Sequence, residues 1–220
     1  MNRKLGRFSC LVSLVLCVGS LPGMAQLYSN LGTGSDVYNC CAGWTVAGSG
    51  YIGTSFVAAN EFQVTASGGV VQIDVAVGLV EGVNSFYVAI DADNNGAPGT
   101  QLAMFPNLSS SVTYGDCCGL VTITGISGLN LSTGTNYWLV IGPMNTTATT
   151  WEAWNWSNSA TGIDDYSTDG GLTWQNNRVQ PQGAFDVLGG CCGTPEPTSL
   201  LLFGTGLAGV LGSVRRRMKF

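Results

Sequence analysis

An all-β fold, an antiparallel β-sandwich of jelly-roll-like build, is what the central part of this 220-residue chain predicts. Three observations carry that expectation. Short β-prone runs recur between clusters of Gly, Asn, Asp and Pro, as strands separated by turns do. The run Val71-Gln72-Ile73-Asp74-Val75-Ala76-Val77 alternates large apolar with polar or small residues, the period of two of a half-buried strand. No apolar stripe with helical spacing interrupts this pattern.

The elements follow in order. Arg3, Lys4 and Arg7 precede an apolar run over 8–21, and Gly23-Met24-Ala25 places small residues where a signal peptidase cuts. Residues 1–25 are therefore expected to be a secretory signal peptide, removed after Ala25. Residues 26–190 form the extracellular β-sandwich domain. Its expected strands lie at 55–58, 61–66, 70–80, 85–91, 101–105, 121–126, 137–141, 149–154 and 184–188. Residues 26–38 are an ordered lead-in or a flexible arm.

Charge is distributed unevenly. Between residues 26 and 190 there are twelve acidic side chains and one cation, Arg178, leaving eleven net negative charges against −5 for the whole chain. Such a field excludes nucleic acid and anionic surfaces as partners. It suits solubility outside the cell, and it is compatible with cations.

Eight cysteines are present, and Cys10 and Cys17 leave with the signal peptide. The remaining six form adjacent pairs: Cys40-Cys41, Cys117-Cys118 and Cys191-Cys192. An even count in an exported chain reads as disulfides. Closing a ring between neighbours strains it, so bridges between pairs are expected, with the connectivity open. A thiolate metal site is the alternative, disfavoured by the absence of histidine and of Cys-x-x-Cys spacing.

Asp91, Asp93 and Asn95 alternate before Gly96, like the opening of a calcium loop. Leu102 stands where an EF-hand would need its bidentate acid, and a strand followed by an Asp/Asn/Gly turn is preferred. No cofactor is expected, with Ca²⁺ on these three residues as the alternative. Ser167-Thr168-Asp169-Gly170-Gly171-Leu172-Thr173-Trp174 resembles the Asp-box of sialidase-like propellers. A single copy makes no propeller, so a structural hairpin is expected, with Asp169 bonding turn amides.

Trp151, Trp154 and Trp156 concentrate aromatic surface on one strand, with Trp154 and Trp156 sharing a face. Core packing is their common fate; contact with carbohydrate is the alternative. Catalytic machinery is hard to assemble. The chain has no histidine, the body has no lysine, and no phosphate-binding glycine loop is present. Paired carboxylates exist, but nothing singles out a glycosidase-like pair. The expected catalytic set is none, and the chain is read as a non-enzyme.

The carboxyl end has three parts in fixed order. Residues 191–198 are a linker containing Pro195-Glu196-Pro197, extended because neither proline has an amide donor. Residues 199–214 carry no charge and would make a helix of about 24 Å, a transmembrane span slightly shorter than the hydrocarbon core. Residues 215–220 form a basic cytoplasmic tail in which Arg215, Arg216 and Arg217 hold the membrane stop.

Pro195-Glu196-Pro197, the Leu/Gly-rich span and the terminal arginines together resemble the PEP-CTERM sorting signal of Gram-negative bacteria. The resemblance implies export, insertion of the tail in the membrane, and processing near the motif by an exosortase-type enzyme. Gly96-Ala97-Pro98-Gly99 with Gln101-Leu102-Ala103, and the later run 131–140, resemble choice-of-anchor extracellular domains, which implies a surface β-domain without catalytic residues. The combined expectation is an exported, exosortase-sorted protein of the cell surface or extracellular matrix with a structural or adhesive module. Its partners would be signal peptidase, the exosortase, the membrane and an extracellular polysaccharide. The rival is a carbohydrate-binding or glycosidase-like domain.

Overall fold

A computed structural model describes residues 24–190, apart from the side chains of residues 176 and 177. The expected bodies of the signal peptide, the transmembrane helix, Pro195, Glu196, Pro197, Arg215, Arg216, Arg217, Cys191 and Cys192 lie outside the described residues.

In chain order the elements are β1 (Met24–Ser29), β2 (Asn39–Ala47), α1 (Ser49–Ile52), β3 (Val57–Gln63), β4 (Gly68–Val75), β5 (Val77–Gly82) and β6 (Phe86–Asp93). There follow β7 (Pro98–Leu108), β8 (Val121–Thr124), β9 (Asn130–Leu131), β10 (Asn136–Pro143), β11 (Thr150–Ser167), β12 (Gln175–Gly183) and β13 (Phe185–Gly190). One sheet runs β1-β13-β4-β8, with β9 on β4; the other runs β12-β11-β3-β10-β6-β7, with β2 and β5 also on β11. The paired strands are antiparallel, and the two sheets enclose one main core, the sandwich the alternation predicts.

That core takes Leu27, Ile73, Val75, Phe185 and Val187 from the first sheet. It takes Val46, Phe62, Val88, Ile90, Leu139, Ile141 and Trp154 from the second. Each fully buried side chain of this size contributes roughly 1.5–3 kcal/mol of transfer free energy. Phe185 is the aromatic hub: its ring centroid lies 4.8 Å from Tyr28, 5.4 Å from Phe62 and 5.8 Å from Trp154.

Three departures from the sequence expectation have local causes. The apolar run 70–80 is two strands, because β4 belongs to one sheet and β5 to the other. Ala76 makes the crossing, donating its N–H to Ala184 O at 3.0 Å while Val75, Ala76 and Val77 stay fully buried. A run buried on both faces hides its own break. The runs at 55–58 and 61–66 are one strand, β3. The lead-in is ordered: β1 pairs with β13 from Met24↔Gly190 to Ser29↔Asp186, so cleavage after Ala25 leaves 26–29 of that strand in place.

β11 organises the larger sheet. Its first half pairs with β2 and β5, and its last four residues pair with β3 while 161–166 pair with β12. The changes of partner occur at irregularities around Asn155, Trp156 and Thr161, where the strand re-aims.

Candidate functional site

The tryptophans are the first candidates, and the fold separates them. Trp154 is fully buried, donating its indole N–H to Ala184 O at 3.2 Å. A side chain at Gly183 would collide with that indole, so the glycine is a packing requirement of β12 against β11. Carbohydrate contact through Trp154 is therefore corrected: its face is used by the core. Past Trp154 the pairing of β11 with β2 is irregular, with a register shift between Asn155 and Trp156. Trp156 is half-buried beside Trp44, ring centroids 5.3 Å apart, and Trp151 is half-buried 5.5 Å from Tyr51. The sequence reading missed Trp44, which lies more than a hundred residues away and enters through β2.

Trp44 lines a cleft of 320 Å³ together with Phe56, Tyr166, Asp164 and Asp165. The cleft lies where β11 leaves β2 and takes up β3. Both aspartates are buried, and Arg178 faces Asp164 across the β11–β12 pair. Trp44 donates its indole N–H to Pro181 O at 2.9 Å, which fixes the ring at the wall.

Asp91 and Asp93 belong to the end of β6, and the turn follows at 94–97. Asp93 Oδ1 accepts the Gly96 N–H at 3.0 Å and the Trp138 indole N–H at 2.9 Å, so it is spent on the turn and on a buried tryptophan. Asn95 takes the left-handed conformation (φ 57°) the turn requires. Asp91 is buried on β6, and desolvation pushes its carboxyl up to about 6. Among the described residues, no three acidic or thiol side chains are grouped as a metal would need.

The 167–174 stretch closes the β11–β12 hairpin. Asp169 Oδ1 accepts the N–H groups of Leu172 and Thr173 at 3.1 and 2.9 Å, and its Oδ2 accepts the Thr173 hydroxyl at 2.6 Å. Those bonds favour the charged form and lower the carboxyl to about 2. Trp174 packs on Val57, Ala59, Trp138 and Val140, a second cluster on the face of β3 opposite the main core.

The cysteines correct an expectation. Cys117 is bridged to Cys118, its sequence neighbour, whereas among the described residues Cys40 and Cys41 are free thiols with Sγ atoms 3.8 Å apart. A bridge between pairs was expected on ring strain; the described bridge lies within one pair, in the loop between β7 and β8.

Three carboxyls, one facing the core and two on the outer face of the smaller sheet, escaped the sequence reading. Glu152 is 0 % exposed, both of its oxygens lack a hydrogen-bond partner, and desolvation lifts it to about 8. It faces the main core, since it sits opposite Val46 and two residues before Trp154. Asp74 and Asp186 sit opposite each other on β4 and β13. Burial and the neighbouring Asp74 raise Asp186 to about 7. Only burial marks these groups, and burial is not visible in an Asp or Glu read along the chain.

The body therefore presents a packed sandwich with an aromatic, acid-lined cleft where β11 passes from β2 to β3. No curated protein matches the chain. A family model does match its end: residues 194–217 fit the PEP-CTERM protein-sorting motif. The chain carries a PEP-CTERM sorting motif, the mark of an exported protein that is anchored in a membrane before an exosortase processes it.

Proposed function

We propose that the sandwich is a non-catalytic structural or adhesive module, delivered to the cell surface or extracellular matrix by its sorting tail. The observation that carries this reading is the order along the chain: the described sandwich runs to β13 (Phe185–Gly190), and the sorting motif follows at 194–217. Processing near the motif would leave β13 in the released body. Signal peptidase would act at the other end, and the membrane would hold the tail until processing. The acidic body fits a matrix role, because like charge keeps released copies apart and leaves polysaccharide hydroxyls as available partners.

A reporter fused to residues 191–220 tests the sorting half. In a host with the exosortase the reporter should reach the surface or medium lacking the apolar span. Uncut reporter retained in the cytoplasmic membrane would refute it. For the body, co-sedimentation with extracellular polysaccharide isolated from that host should recover it in the pellet. A body left wholly in the supernatant would exclude adhesion.

The 320 Å³ cleft favours one second reading, a carbohydrate-binding site. Aromatic walls from Trp44 and Tyr166 beside Asp164 and Asp165 match what sugar rings and hydroxyls need. A glycan array with Tyr166→Ala as control decides this, and silence of the wild type removes the reading.

A further inference from the structure

We propose that Cys40, Cys41, Cys117 and Cys118 are one thiol–disulfide exchange site, which moves the bridge from within a pair to between Cys40 and Cys118. The two pairs are 76 residues apart in sequence, yet the fold sets their backbones side by side. Gly115 donates its N–H to Cys40 O at 3.0 Å, and the Tyr38 hydroxyl donates to Gly119 O at 3.1 Å. Cys117 Sγ lies 3.9 Å from Tyr38 O, and Cys118 Sγ lies 3.6 Å from Ser35 O. Cys40 and Cys118 pack against the same small cluster of Tyr38, Ala76 and Ala184.

The facing segment is held in place from behind. Tyr114 N–H bonds Leu79 O at 2.8 Å and Leu79 N–H bonds Val112 O at 3.0 Å, which ties the loop after β7 to β5. Strands need not separate for a sulfur to cross between segments already in hydrogen-bond contact.

The chemistry balances without an added oxidant. The Cys40 thiolate attacks Sγ of Cys118; a Cys40–Cys118 bond forms and the Cys117–Cys118 bond breaks. The electron pair leaves on Cys117 Sγ, which takes up the proton that Cys40 released. One bridge and two thiols exist before and after. Cys40 is the attacking group because it packs against the cluster that Cys118 also touches, whereas Cys41 is exposed to solvent. The product ties β2, in the larger sheet, to the loop leading into β8, in the smaller one. The exchange would thus staple the two sheets together after export to an oxidising compartment.

The test is peptide mapping of the full-length chain. The protein is incubated at pH 8.5, quenched with acid, alkylated and digested without reductant for mass spectrometry. The expected result is gain of a Cys40–Cys118 cross-linked peptide with matching loss of the Cys117–Cys118 peptide. Cys117→Ser should form the Cys40–Cys118 link when oxidised, and Cys40→Ser should retain the bridge within 117–118. A wild type that keeps only the Cys117–Cys118 bridge, with Cys40 and Cys41 both alkylated, overturns the proposal. So does a bridge from Cys40 to Cys191 or Cys192.

Discussion

Replacing Glu152 with glutamine should make the stability of this sandwich less dependent on pH. The wild-type carboxyl is 0 % exposed with both oxygens unpartnered, and burial raises it from 4.5 to about 8. In the unfolded chain it ionises near 4.5; in the folded chain it keeps its proton. Because the folded state binds the extra proton, stability is greatest below pH 4.5 and falls as pH rises towards 8, then levels. Each pH unit in that window is worth at most about 1.36 kcal/mol. From pH 5 to pH 8 the wild type should therefore lose up to about 3 kcal/mol through this one group. Glutamine keeps the shape and carries no proton to lose. Urea titrations of both proteins at pH 5, 6, 7 and 8 measure the difference directly. The variant should match the wild type at pH 5 and exceed it progressively towards pH 8. A gap that stays constant over that range would refute the argument.

Other outcomes follow from the same structure. Asp186→Asn should flatten a second pH-dependent loss, between about pH 3.8 and 7, because Asp186 is raised to about 7 by burial and by Asp74; thermal melts at pH 5 and pH 8 report it. Trp154→Ala removes a fully buried indole at the meeting of β11, β12 and β13 and should cost about 3–5 kcal/mol by denaturant titration. Asp169→Ala removes acceptors for Leu172, Thr173 and the Thr173 hydroxyl. It should speed amide exchange in the 167–174 hairpin while leaving β13 protected. Chelating calcium should leave the melting temperature unchanged, since Asp93 is already committed to Gly96 and Trp138; a drop on adding EDTA would contradict the turn.

Much of the fold was legible because its signals are local. Alternation at 71–77 marks β4, and the Ser167–Trp174 spacing marks a hairpin whose bonds close within four residues. Strands with polar or glycine-rich sequences were not legible. β2 reads Asn-Cys-Cys-Ala-Gly-Trp and β12 reads Gln-Asn-Asn-Arg-Val-Gln, and both are strands because β11 supplies partners on either side. The aromatic cleft was half visible. Its acidic residues and Tyr166 lie on the strand that carries the tryptophan run, but Trp44 and Phe56 come from β2 and the start of β3.

By itself the order of residues determined the address of this protein. A sorting motif is read as an extended segment beside an apolar run and a basic end, so its information is contiguous and needs no fold. It also determined the all-β class, since a two-residue period is a property of neighbours in the chain. Only the tertiary structure decided which tryptophan of β11 the core takes, because burial is set by the sheet packed opposite: Trp154 is fully buried while Trp151 and Trp156 stay half-buried. It alone placed Glu152 in the core, where desolvation depends on what the opposite sheet covers. And it alone brought Cys40 and Cys118, 78 positions apart, against one small cluster of Tyr38, Ala76 and Ala184, a placement that no spacing along the chain encodes.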